Sequence, residues 1–381
     1  MRLNPNGQKP GEAGNMKTQL GLILTVALAI VPFARGAEAP ARPSVEVVFV
    51  IDTTSSMGGL IEGAKQRIWA IANEVSKGRP APKVKMGLVA FRDKGDEYVT
   101  KVFDLSENLD NTYKDLMSLR AEGGGDTPEH VIAGLDDAVS KISWSKDPKT
   151  FKVVYLVGDA PPHEDYPEAP TLASVMQKAV RRGLIVNSVQ CGTDVQAAVA
   201  FTRISRMGEG RLLPVPQDGG MVAVATPFDD KMALLSGKLE GTGLAFGGGR
   251  AAAKAAGSLA ASVRGMASAP AAAERAEYKA RKGFDGASDL AQAVAENRVA
   301  LKDLKADELP DALREVPAAK REARLSELTA ERKKLKNEMD GLVMQRASWL
   351  KKQSGAKRAD SFDTLLVDAL KAQAAKKGIV Y

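Results

Sequence analysis

Two hydrophobic periods alternate along the chain from Val45 onward. VEVVFVI (45–51) is short, β-branched and nearly all apolar, which predicts a strand buried on both faces. LIEGAKQRIWAIANEVSKG follows, with Leu60, Ile61, Ala64, Ile68, Ile71, Ala72 and Val75 at helical spacing and a glycine stop at Gly78. KVKMGLVAF and YVTKVFDL predict two further strands, and NLDNTYKDLMSLRA and EHVIAGLDDAVSKI two helices. FKVVYLVGDA is a second apolar strand ending in an acid. TLASVMQKAVRRG, LIVNSVQCG, AAVAFTRISRMGEG and RLLPVP then predict helix, strand, helix and short strand. Such alternation implies a doubly wound α/β domain over residues 44–240, its sheet mainly parallel, with right-handed crossovers.

The pattern changes after Glu240. Residues 241–273 are rich in Gly, Ala and Ser and predict a linker. Residues 274–381 are charged and helix-favouring. Leu290, Val294, Asn297, Leu301 and Leu304 keep heptad-like spacing, as do Leu325, Leu328, Leu335, Met339, Leu342 and Trp349, with Arg332 and Arg346 interrupting. Pro310 and Pro317 separate the two stripes, so a separate α-helical C-terminal region, a hairpin or small coiled coil, is expected. Its apolar stripe serves packing within the chain, self-association or a partner.

At the other end, LGLILTVALAIVPF (20–33) is apolar, preceded by Lys17 and followed by the small residues of ARGAEA. Fourteen positions are short for a bilayer span but suit a signal-peptide core, so residues 1–39 are expected to be a cleaved leader, with Met16 an alternative start. An uncleaved anchor is the competing expectation. A cleaved leader implies an exported bacterial protein, periplasmic or secreted, with no stable membrane insertion. The 381-residue chain carries a formal charge of +7; residues 1–39 hold four Lys or Arg and two Asp or Glu, so their removal leaves +5. That is too mild to indicate nucleic acid. The sole cysteine, Cys191, excludes an intramolecular disulfide, and only His130 and His163 are available for a histidine metal site.

The chemistry concentrates where strands end. VVFVIDTTSSMGG runs from strand into Asp52-x-Thr54-x-Ser56, one carboxylate and two hydroxyls in one loop. Hard divalent cations take oxygen ligands, and Mg²⁺ keeps several waters, so the loop suits it; Gly58 and Gly59 would let the backbone turn around the ion. By itself the pattern is weak, since composition places it in roughly one chain in five, and Thr54, Ser55 or Ser56 could simply cap a helix. Position and company strengthen it. GGGDTPEH brings Asp126 and Thr127, where an N-cap followed by proline is the competing reading. LVGDAPPHEDYP brings Asp159 at the end of the second apolar strand. In an open parallel sheet, ligands bind beyond the carboxyl ends of strands, where the winding reverses.

At these residues the sequence resembles the von Willebrand factor A (VWA) domain, over about residues 44–240 and including the order of strands and helices. The metal-ion-dependent adhesion site (MIDAS) of that family has Asp-x-Ser-x-Ser, a Thr from a later loop and an Asp from a third. The resemblance implies that Asp52 contacts an ion directly or through water, that Thr54 and Ser56 coordinate through hydroxyls, that Thr127 is a hydroxyl ligand once a partner is bound, and that Asp159 helps through water. Thr54 departs from the usual Ser, keeping the hydroxyl and adding a methyl. Asp126 and Asp93 occupy no motif position. The ion implied is Mg²⁺, with Mn²⁺ and Ca²⁺ also compatible with oxygen ligands. The partner implied is a protein whose exposed acidic residue completes the coordination shell.

Two other classes of function compete. A Mg²⁺-assisted hydrolase would use Asp52 and Asp159, but no nucleophile and base stand together, and no phosphate-cradling loop follows a strand. A scaffold would act through residues 274–381 with a vestigial metal site. The mixed charge of Ala271–Tyr381, 23 Lys or Arg against 18 Asp or Glu, describes a solvated helix face as well as any partner surface. Metal-dependent protein binding without catalysis is the expectation carried forward.

Overall fold

The computed structural model describes residues 42–125, 127–283, 288–353 and 359–381. The segment expected to be a leader, residues 1–39, and Asp126 lie outside the described residues. Among the described residues no helix is long and apolar enough to cross a membrane.

Strands β1 (Ser44–Asp52), β2 (Lys83–Phe91), β3 (Thr100–Ser106), β4 (Phe151–Gly158), β5 (Leu184–Cys191) and β6 (Glu209–Val215) form one sheet in the order β3-β2-β1-β4-β5-β6. All pairings are parallel except β2 with β3, which is antiparallel. The largely apolar character of β1 has a direct cause. Val45, Val47, Phe49 and Ile51 enter one hydrophobic core, while Val48 and Val50 enter the other. β4 divides the same way, with Phe151, Val153, Tyr155 and Val157 on the first side and Val154 and Leu156 on the second. Side chains alternate across a strand, so a strand covered on both faces is apolar along most of its length; Glu46, a buried charge in β1, accepts from Lys85 Nζ (3.1 Å) and the Ser145 N–H (2.8 Å).

Helices α1 (Gly58–Ser76) and α2 (Leu109–Ser118) cover the first face; α3 (Val131–Ser140), α4 (Leu172–Arg181) and α5 (Val195–Met207) cover the second. Winding runs outward from β1 to β2, then restarts from β4 on the other side of β1. The carboxyl ends of β1 and β4 therefore flank the switch point, where a crevice opens without further design. Asp52 closes β1 there and Asp159 follows β4.

The C-terminal half departs from the sequence expectation in three ways. After α6 (Asp229–Gly241), most of the stretch expected as a linker is helical, made of α7 (Arg250–Met266) and the start of α8 (Ala269–Lys282). Alanine is the strongest helix former, and Gly257 and Gly265 alone interrupt α7. The first heptad-like stripe does not form a long helix: α9 covers only Leu290–Ala295, a 3₁₀ turn holds Leu301–Asp303, and α10 is the single turn Asp311–Arg314. Their leucines join Leu244, Leu325 and Leu328 in a small core. The second stripe is one helix, α11 (Arg321–Lys352), and Met339 and Leu342 pack on Met232, Leu235 and Leu239 of α6 and on the alanines of α8. Its interrupting arginines are ion-paired, Arg332 with Asp289 (2.9 Å) and Arg346 with the buried Asp229 (2.9 Å).

The third departure is that residues 42–381 form one compact unit. The last helix, α12 (Phe362–Ala374), returns to the first face of the sheet, where Phe362, Leu366 and Leu370 share the core of Phe49 and Tyr155. Tyr155 Oη donates to the Leu366 carbonyl (3.2 Å), and the buried amides of Asn187 and Gln373 exchange two hydrogen bonds.

Candidate metal centre

The four hydroxyls after Asp52 divide by position. Thr53 and Ser55 are structural: Thr53 Oγ1 bonds the Phe91 carbonyl (3.0 Å), and Ser55 Oγ donates to the Gly123 carbonyl (2.7 Å). They fasten the β1 loop to the end of β2 and to the glycine loop. Thr54 and Ser56, with Ser55 beside them, line a cavity of about 310 Å³ shared with Gly123–Gly125, Thr127, Glu129, Asp159, Ala160 and Asp194. Capping does not account for them, because neither the 3₁₀ turn at Ser55–Met57 nor α1 has a side-chain N-cap bond.

Asp52 is buried. Its Oδ1 accepts from the backbone N–H of Thr54 (2.8 Å) and from Thr54 Oγ1 (2.7 Å), while its Oδ2 is buried without a partner. With its hydrogen directed to Asp52 Oδ1, the Thr54 hydroxyl keeps lone pairs for another group. Ser56 Oγ lies 3.4 Å from it, near the spacing of roughly 3 Å between neighbouring oxygens around a small hard cation. Burial is the main force pushing the Asp52 carboxyl up to about 7, opposed by the two Thr54 bonds and reinforced by Asp159. A buried acceptor without a donor in such a place fits a cation or its bound water.

Asp159 Oδ2 accepts from Gln217 Nε2 (2.7 Å), which also reaches the Ser56 carbonyl (3.3 Å). Thr127 is exposed at the cavity edge. Gly124 takes a φ of +73°, and a Cβ there would come within 3.0 Å of Thr54 Cβ, so glycine lets this loop close over the site. Gly58 and Gly59, in contrast, lie in α1 and make no turn around an ion; Gly59 instead admits the close approach of Asp218.

The structure thus brings together Thr54, Ser56, Thr127 and Asp159 around one cavity with Asp52 behind Thr54. Among the described residues no three His, Cys, Asp or Glu side chains are placed to hold a metal. An ion on this rim would draw on hydroxyls and water as well as carboxylates. Asp93 is occupied elsewhere, both its oxygens accepting from Tyr166 Oη (2.9 and 2.8 Å). His163 stacks on Tyr166 with its side chain 14% exposed, and His130 caps α3. Cys191 is fully buried at the end of β5.

Sequence reasoning passed over two residues here. Gln217 is remote from every motif. Glu129 lies within GGGDTPEH, but its burial beside Asp52 depends on the tertiary fold. Burial first, then Asp52, Asp93, Asp96 and Asp159, push its carboxyl up to about 8.

Residues 46–200 match the family model for the von Willebrand factor A domain, a span that holds all five candidate ligands. The chain carries a VWA domain. The matched span ends inside α5, so β6 and the later helices lie beyond it. Similar proteins include the von Willebrand factor A domain-containing protein 7 of Rattus norvegicus, 37% identical over 97 residues, which are 26% of this chain and 10% of that protein. The alpha-protein kinase vwkA of Dictyostelium discoideum is 27% identical over 133 residues, 32% of this chain and 19% of the kinase. The chain thus spans a fifth or less of the length of these curated relatives, and the likeness is confined to the VWA segment. Among solved structures, the SpRpn10 VWA domain aligns with a TM-score of 0.34 and 14% identity, covering 46% of this chain and 89% of that one.

Proposed function

We propose that this chain is an exported protein that binds a protein partner through a divalent cation, Mg²⁺ or its oxygen-seeking analogues Mn²⁺ and Ca²⁺. Asp52, Thr54, Ser56, Thr127 and Asp159 hold the ion at a MIDAS-type site, and an acidic side chain of the partner completes its shell. The observation that carries this reading is the Asp52–Thr54 pair. The hydroxyl proton points at Asp52 Oδ1, and the second carboxylate oxygen is buried without a donor. When bound, the cation supplies positive charge that a partner carboxylate can neutralise. The protein orients the hydroxyls, with Asp52 fixing Thr54 and Gln217 fixing Asp159. VWA domains commonly bind proteins, which agrees with this assignment, and no catalytic role is proposed.

Calorimetric titration of the full chain with MgCl₂ and MnCl₂ tests the reading. Saturable binding is expected, abolished in Asp52→Ala. Thr127→Ala is expected to weaken capture of an acidic partner more than binding of the ion alone. A folded wild-type chain that takes up neither ion would overturn the proposal.

A further inference from the structure

We propose that Glu129 belongs to the cation site as an acceptor for water bound to the ion, and that with Asp52 it sets how tightly the cation is held before any partner arrives. This rests on the metal reading above. Glu129 is 3% exposed, yet its Oε2 has no hydrogen-bond partner. Leaving a buried carboxylate oxygen unsatisfied costs folding free energy, which a native structure tolerates where function uses it. The residue lines the same cavity as Thr54, Ser56, Thr127 and Asp159.

Its position is fixed by backbone, not by chance packing. The Glu129 N–H donates to the Pro161 carbonyl (3.0 Å), and the Glu129 carbonyl accepts from the His163 N–H (2.9 Å). Those partners lie in the loop that begins with Asp159, so the two carboxylate-bearing loops are tied together at this residue.

The role is through water because, among the described residues, no three His, Cys, Asp or Glu side chains are placed to ligate one ion together. A small hard cation keeps several waters, whose hydrogens need acceptors. Among the described residues, Asp52 Oδ2 and Glu129 Oε2 are the buried acceptors in the site without donors. Residues that hold metal-bound groups from the outer shell typically change metal affinity by about 10–100-fold when replaced.

The test is Mn²⁺ titration of the full chain by calorimetry, comparing wild type, Asp52→Ala and Glu129→Gln, with the water-proton relaxation of bound Mn²⁺ as a second readout. Glutamine keeps the shape of Glu129 and removes its charge. Glu129→Gln is expected to raise the Mn²⁺ Kd by about tenfold or more, to change the relaxation of the metal-bound water, and to leave the unfolding midpoint of the metal-free protein no lower than wild type. If Asp52→Ala abolishes binding while Glu129→Gln binds as wild type does with unchanged relaxation, the role of Glu129 is overturned and the metal site stands. If wild type binds no Mn²⁺, the metal site itself falls and this inference with it.

Discussion

At the scale of single residues, Asp52 and Glu129 place two carboxyl groups where charge is costly, at about 7 and about 8. Both values lie above those of the unfolded chain, so in metal-free protein the folded state holds protons that the unfolded state has released. Stability from these two groups is therefore full below about pH 4 and is lost as pH rises toward 8. Glu74 works oppositely: burial raises it, but bonds from Lys371 and Lys77 prevail and hold it at about 2, so its contribution is present at neutral pH and lost only in acid. In EDTA, the urea midpoint of wild type should fall between pH 5.5 and pH 8, and Glu129→Gln should flatten that slope by removing one charge and relieving its neighbour. An equal slope in both would remove this account. Thr54 gives a sharper test of the hydroxyl. Thr54→Ser should retain cation binding, whereas Thr54→Val should lose it at similar stability, read by calorimetry and denaturation together. Asp52, Thr54 and Ser56 were legible in sequence because their spacing falls within one loop. Glu129 was not, since only folding brings it beside Asp52, and the different tasks of Thr53 and Thr54 depend on which way each faces.

At the scale of elements, α8 shows how the helices beyond the expected linker are held to the sheet domain. Arg275, 1% exposed, forks onto both oxygens of the equally buried Asp110 of α2 (2.7 and 2.8 Å), and Lys279 adds a third contact (2.7 Å). Burial raises the Asp110 carboxyl, but the Arg275 hydrogen bonds and the Lys279 charge outweigh it and hold it below the ordinary range. On α1, Arg67 joins Glu274 (2.5 Å) to Asp363 of α12 (2.9 Å). Removing one partner of a buried pair leaves the other charge uncompensated, so Arg275→Ala should cost about 3–5 kcal/mol. Asp110→Ala should cost a similar amount, and the double variant clearly less than the sum, measured by urea unfolding. Full additivity would mean that the pair does not couple. The helical state of most of 250–273 could have been read from alanine propensity, but the Gly/Ala/Ser composition suggested a linker first. The partners Asp110 and Arg275 are 165 residues apart, and no local pattern announces them.

At the scale of the whole molecule, the boundary drawn at residue 240 from composition cuts through a shared core. The sheet is recognisable from its strands alone, and residues 46–200 suffice to match the family. Its first face is nonetheless finished by α12, more than 140 residues after β6, because Phe362, Leu366 and Leu370 cover Phe49 and Tyr155. The Phe362 N–H also donates to the Gly219 carbonyl (2.8 Å), two residues from Gln217, which contacts Asp159. A fragment of residues 42–240 would expose that face, strand Arg67 and Asp110 without partners, and free the loop that carries Gln217. Burial of each large apolar side chain contributes about 1.5–3 kcal/mol, comparable in sum to the few kcal/mol by which a domain is stable. The fragment should therefore bind an apolar dye, unfold with a low m-value and take up Mn²⁺ poorly, and a synthetic peptide of residues 359–381 should partly restore all three. A fragment that unfolds cooperatively and binds Mn²⁺ as the full chain does would show the C-terminal helices to be an independent attachment. Their contacts with the sheet would then be packing without consequence for the site.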